Sequence, residues 1–147
     1  MAKRFKYRLE RVLQYREHVR DERRRELLIA NRELRQGEQR VSELQEALSQ
    51  NVVASGGETS AGAIYLAGAY AARLKELIER QLAKNADMQK EVAQALERYI
   101  EASKDSEALK ILKRKKFEEY RAYIDREEAK FLDELTTQRY TGSNLKE

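Results

Sequence analysis

The chain has 147 residues, enough for one domain, yet 38% of them are charged, 7% are aromatic and mean hydropathy is -0.87. So polar a chain cannot fill a globular core, while a high content of Ala, Glu, Lys, Leu and Arg with persistent apolar repeats points to long helices rather than disorder. With no cysteine there is no disulfide framework, thiol nucleophile or cysteine zinc site, and no apolar run approaches the roughly 20 residues that span a bilayer. The reading is one elongated all-α protein with the cysteine usage of a cytosolic chain. The start, Met1-Ala-Lys-Arg-Phe-Lys-Tyr-Arg8, is basic but has no apolar region behind it and does not read as a secretory signal. Charge is uneven: residues 1–40 carry 13 Lys/Arg against 7 Asp/Glu, net +6, and residues 41–147 carry 17 against 19, net -2. A basic N-terminal end favours an acidic partner surface.

The spacing predicts a first helix from about Phe5 to Val53. Its seam would run Phe5, Leu9, Val12, Arg16, Val19, Arg23, Leu27, Ala30, Leu34, Gly37, Val41, Leu44 and Leu48. Fours and threes alternate, except for two consecutive fours from Val19 through Arg23 to Leu27, a local eleven-residue repeat that relaxes a left-handed supercoil. Arg20-Asp-Glu-Arg-Arg-Arg-Glu26 is charged all round and reads either as a solvated face or as a site for an acidic partner.

Ala54-Ser-Gly-Gly-Glu-Thr-Ser60 is the Gly/Ser/Thr-rich stretch in the chain interior and predicts a turn over 54–60, with Thr59 or Ser60 capping the next helix. Two long helices joined by so short a link must lie antiparallel, as a coiled-coil hairpin. The second helix is expected over about 61–138. Its stripe is Ala67, Tyr70, Leu74, Leu77, Met88, Val92, Ala95, Tyr99 and Ala102, narrow enough for a coiled-coil seam. The two helices would be about 74 Å and roughly 115 Å long. Either the second breaks near Ser103-Lys-Asp-Ser106 and folds back, or it continues and presents Phe117, Tyr120, Ile124, Phe131 and Leu135 to another protein. A Ser/Asp cluster breaks helices less surely than Gly or Pro, which favours continuity. Residues 141–147 are expected to form a disordered tail.

Catalytic constellations are missing. His18 is the only histidine and spacing gives it no partner. Glu118-Glu119 and Glu127-Glu128 are consecutive, so each pair diverges around a helix and forms no acid/base dyad. Gly56-Gly57 lacks the Lys-Ser/Thr of a phosphate loop. These absences argue against an enzyme, a cofactor or a metal. Lys110-Ile-Leu-Lys-Arg-Lys-Lys116 could meet phosphates, but apolar residues interrupt it and Glu118-Glu119 follow, which favours a solvated face or an acidic protein over nucleic acid. Of eight tyrosines, Tyr70, Tyr99 and Tyr120 lie on the stripe; Tyr7, Tyr15, Tyr65, Tyr123 and Tyr140 fall off it and are interface candidates.

Phe5-Lys-Tyr-Arg-Leu-Glu-Arg-Val-Leu-Gln-Tyr-Arg-Glu17, followed by the charged block at 21–26, resembles the N-terminus of the FliJ family of flagellar type III export proteins. Leu112-Lys-Arg-Lys-Lys-Phe-Glu-Glu-Tyr120 and Arg126-Glu-Glu-Ala-Lys-Phe-Leu-Asp-Glu-Leu-Thr-Thr-Gln-Arg-Tyr140 resemble its C-terminus, so the likeness covers nearly the whole chain. The resemblance implies a non-catalytic antiparallel coiled coil, similar to the γ stalk of rotary ATPases. Such a protein would activate the hexameric flagellar export ATPase, touch the cytoplasmic part of the export gate and escort export chaperones, with no nucleic acid and no membrane insertion. It would be cytoplasmic, peripheral to the inner membrane at the flagellar base, and would serve motility. By analogy with the γ stalk, Arg8, Arg11, Arg126 and Arg139 would meet the ATPase; the gate would meet Val41, Leu44, Leu48, Tyr70, Leu74 and Leu77, which coincide with the expected seam. The equivalent stalk of a virulence-type secretion system shares these features, and a basic coiled coil for nucleic acid is the rival of another class.

Overall fold

The computed structural model describes residues 3–55 and 60–144. They form two α-helices, α1 (Glu10–Ser55) and α2 (Ala61–Asn144), packed against each other, with no strand among the described residues. The residues fall into two compact units, Val19–Ala102 and the remainder, and both helices contribute to each.

In the Val19–Ala102 unit the pairing is antiparallel. Asn51 Nδ2 donates to the Ala67 carbonyl at 3.0 Å, and Gly37 lies against Gln81 and Asn85. Val41, Leu74, Ala95 and Ala102 are buried, and Val19, Arg23, Leu27, Leu34, Leu44 and Leu48 are half-buried, as the three-four spacing requires. Ser60 caps α2: its carbonyl accepts from the Ile64 amide at 3.1 Å and its hydroxyl from the Ala63 amide at 3.4 Å. Of the expected turn over 54–60, Ala54 and Ser55 are helical and end α1, and 56–59 lie outside the described residues.

The seam is not uniformly apolar. Gln81 and Asn85 are buried, with Gln81 Nε2 donating to Asn85 Oδ1 at 2.9 Å. Gly37 gives these amides their room, since a Cβ there would lie 2.1 Å from Asn85 Oδ1. Such a polar pair fixes the register of two helices at some expense in stability. Tyr70, expected on the seam, is 49% exposed; the half-buried Ala71 sits beside it.

The other unit changes the reading of both chain ends. Helix α1 starts at Glu10, not Phe5. Residues 4–9 alternate instead: Phe5, Tyr7 and Leu9 are half-buried while Arg4, Lys6 and Arg8 are exposed, a period of two rather than 3.6. With the helix starting later, Leu13 becomes the core residue at 3% exposed, and Val12 and Arg16, expected on the seam, turn outward. Helix α2 does not break at 103–106. Ser103 is half-buried and Ser106, 1% exposed, is the most buried side chain described, so these small residues lie on the packed face rather than at a turn. The expected tail is helical through Asn144; residues 145–147 lie outside the described residues.

Candidate functional site

The site is assembled where the first residues of the chain lie along α2. Tyr7 donates its hydroxyl to the Leu109 carbonyl at 3.2 Å, and the Tyr120 hydroxyl donates to the Lys3 carbonyl. The four steps from Lys3 to Tyr7 therefore span eleven steps of helix, roughly 16 Å, which only a nearly extended chain with two tyrosine side chains reaching outward can cover. Between these pins the Phe5 ring packs edge-on to Phe117 at 5.3 Å between centroids and tilted against Tyr120 at 5.4 Å; Phe117 and Tyr120 are 6.5 Å apart. Such contacts contribute about 0.5–1.5 kcal/mol each beyond area burial. Three ion pairs continue the join along α1: Glu10 with Lys113 at 2.7 Å, Glu17 with Lys110 at 3.8 Å and Arg16 with Asp105 at 3.5 Å. They are partly exposed and are worth at most about 1 kcal/mol apiece.

The extended segment and α2 enclose an open groove of about 1180 Å³. Phe5, Tyr120, Tyr123, Ile124 and Phe131 supply apolar lining, Lys3, Arg4, Lys6, Arg8 and Lys116 a basic edge, and Glu127 and Glu128 two carboxylates. Lys3, Arg4, Lys6 and Arg8 have no carboxylate partner among the described residues. Beyond Ile124 all of residues 125–143 are exposed, including Phe131, Leu132, Leu135 and Tyr140.

The structure brings Arg8 to this groove and Arg11 to an adjoining cleft beside Gln14 and Lys113. Arg126 is exposed next to the groove carboxylates and donates to the Ala122 carbonyl at 3.3 Å; Arg139, also exposed, lies more than three turns further along α2. Of the six positions expected to meet an export gate, Val41 and Leu74 are buried, Leu44, Leu48 and Leu77 half-buried, and Tyr70 exposed. Sequence reasoning missed the aromatic cluster and the extended segment; the alternation of Phe5, Tyr7 and Leu9 with basic residues was the signal for both. No group of three potential metal ligands occurs among the described residues, and no described helix is long and apolar enough to cross a membrane.

Phe5→Ala removes the ring that joins the cluster. The expected loss is about 1–2 kcal/mol, below that of a fully buried phenylalanine because Phe5 is half-buried. It should fall on docking of residues 3–9 and raise the rate of tryptic cutting at Lys6 and Arg8 about 5–30-fold. An unchanged cutting rate would show that the tyrosine pins alone hold the segment.

A family model described as the flagellar FliJ protein matches residues 5–145. No curated protein and no solved structure matches the chain.

Proposed function

Since the chain belongs to the FliJ family of flagellar export proteins, we propose that it is the stalk-like, non-catalytic subunit that binds and activates the hexameric export ATPase. The observation that carries this reading is the stretch of α2 over 125–143, exposed on all sides yet bearing Phe131, Leu132 and Leu135. Apolar side chains left uncovered on a charged helix mark a surface meant for another protein. Arg8, Arg11, Arg126 and Arg139 supply cations at this end, with Arg8 and Arg11 at the groove and cleft beside it. In the same reading the chain works in the cytoplasm, at the cytoplasmic face of the inner membrane. It also touches the export gate through Tyr70 and its neighbours and escorts export chaperones.

The test is steady-state ATP hydrolysis by the export ATPase of the same organism, with this protein added. The full chain should stimulate it, and a chain ending at Ile124 should not. That truncation removes no covered side chain among the described residues, so circular dichroism should show the remaining helices intact with a midpoint within 1–2 °C, roughly the shift of a surface change. Full stimulation by the truncated chain would sink the proposed role of the exposed end.

Nucleic acid is disfavoured by what the basic run on α2 does: Lys110 and Lys113 are engaged by Glu17 and Glu10 of α1, and Lys116 lies 3.5 Å from Glu119. Cations so committed add little to a phosphate-binding face.

A further inference from the structure

We infer that the groove between the extended N-terminal segment and α2 is a peptide-binding site, and that its occupant is an acidic amphipathic helix of a partner protein. The inference rests on the reading that this end of the protein meets a partner, and it specifies what that partner must present.

The charge pattern comes first. Phe5, Tyr7 and Leu9 are half-buried while Arg4, Lys6 and Arg8 are exposed, and all three cations line the groove. Arg4 and Lys6, two residues apart on extended chain, are separated by roughly 6–7 Å, and Arg8 follows at the turn that the Glu10 amide closes on the Tyr7 carbonyl at 3.2 Å. Carboxylates four residues apart on a helix rise about 6 Å along its axis, so acids at i and i+4 match Arg4 and Lys6, and a third at i+8 is offered to Arg8. The three cations have no carboxylate partner among the described residues, and at this spacing they lie within a Debye length and repel one another. An acidic row relieves that repulsion.

Shape and lining select a helix over other anions. The groove is open along its side and its 1180 Å³ exceeds what a typical small molecule fills, roughly 300–1,000 Å³. Tyr123 and Phe131, 54% and 60% exposed, stand on the wall opposite the cations. They are placed to receive leucine or phenylalanine from the face beside the acidic row, the helix-in-groove mode of recognition. Glu127 and Glu128 lie on that same wall and oppose a uniform polyanion such as nucleic acid.

The test uses the full chain and a fluorescein-labelled synthetic 18-residue peptide, with glutamate at i, i+4 and i+8 and leucine or phenylalanine on the adjoining face. Fluorescence anisotropy should show saturable binding. The triple variant Arg4→Glu, Lys6→Glu, Arg8→Glu should weaken it at least tenfold, and Phe131→Ser about fivefold or more. Both variants change exposed side chains, so circular dichroism should match that of the parent. Equal binding of a peptide whose apolar residues are replaced by serine would reduce the site to charge attraction and overturn the inference. Tighter binding of a 20-residue oligothymidylate would overturn it in favour of nucleic acid. Stimulation of the export ATPase, measured in parallel, separates the two readings. If the peptide binds as expected but the ATPase does not respond to the full chain, the stalk reading falls and the groove stands. If the ATPase responds but the peptide binds the triple variant as well as the parent, the groove falls and the stalk stands.

Discussion

Gly37→Leu should destabilise the protein by about 2–4 kcal/mol, read as a lowered urea midpoint of the circular dichroism signal at 222 nm. A Cβ at this position meets Asn85 Oδ1 at 2.1 Å, Asn85 Cγ at 3.1 Å and Gln81 Nε2 at 3.2 Å, and leucine adds three more carbons to the same space. Overpacking of this kind costs roughly 1–3 kcal/mol. Pushing Asn85 aside also separates it from Gln81 and leaves buried amide groups unpaired, a further cost of about 1–3 kcal/mol. Against these stands about 1 kcal/mol of helix propensity gained by replacing glycine. The clash has a specific remedy. In a double-mutant cycle, Asn85→Ala should recover more than 1 kcal/mol in the Gly37→Leu background, and none in the parent. Simple addition of the two effects would mean that the helices shift apart at Gly37 and that the amide pair does not set their register.

The second large effect separates packing from partner contact among the positions expected to meet the gate. Leu74 is 4% exposed, so Leu74→Asp removes a buried leucine and leaves a carboxylate in its place. The expected cost is about 4 kcal/mol or more, a large share of the 5–15 kcal/mol that holds a typical domain together. Tyr70 lies one turn away and is half exposed, so Tyr70→Ser should change stability by no more than about 0.5 kcal/mol. If the gate docks beside this turn, Tyr70→Ser should weaken binding to the purified cytoplasmic part of the gate while the thermal midpoint stays put. Undiminished binding by Tyr70→Ser would move the contact to another face.

The helical architecture was readable because a three-four spacing persists from Val19 to Leu48 and again from Met88 to Ala102, long enough for periodicity to outweigh local noise. Two features escaped for different physical reasons. The extended segment is only a few residues long and abuts a helical pattern, so Phe5 and Leu9, four apart, satisfy a helix and a period of two equally well. A helical register begun at Phe5 also puts Val12 and Arg16 on the seam, and both are exposed. The polar part of the interface escaped because a search for apolar stripes passes over Gln81, Asn85 and Ser106, all of which are buried. The arginines at the terminal end rest on the resemblance to a γ stalk; the groove beside Arg8 depends on the direction in which residues 3–9 run, which no spacing rule gives. The expected gate residues illustrate the converse. Val41 and Leu74 follow from where the resemblance places the gate contact, but they coincide with the apolar seam and are buried, as mutual packing of the helices requires.

Among the described residues, none buries residues 125–143 of α2, all of which are exposed. An unpacked helix of such length in water sits near the helix–coil balance, where starting a helix is the unfavourable step and adding a turn is nearly neutral. Here the packed turns at Tyr120 and Ile124 provide the start, so helix content beyond them can grow or shrink from the free end without disturbing the core. Thr136, Thr137 and Thr141 each donate a hydroxyl to a carbonyl one turn back, a bond that competes for the backbone acceptors of the helix and lets it bend. The segment acts as a zipper anchored at one end. A partner that touches only Phe131 stabilises few turns, and one that reaches Tyr140 stabilises more, so grip is graded by the length engaged and each added turn is reversible on its own.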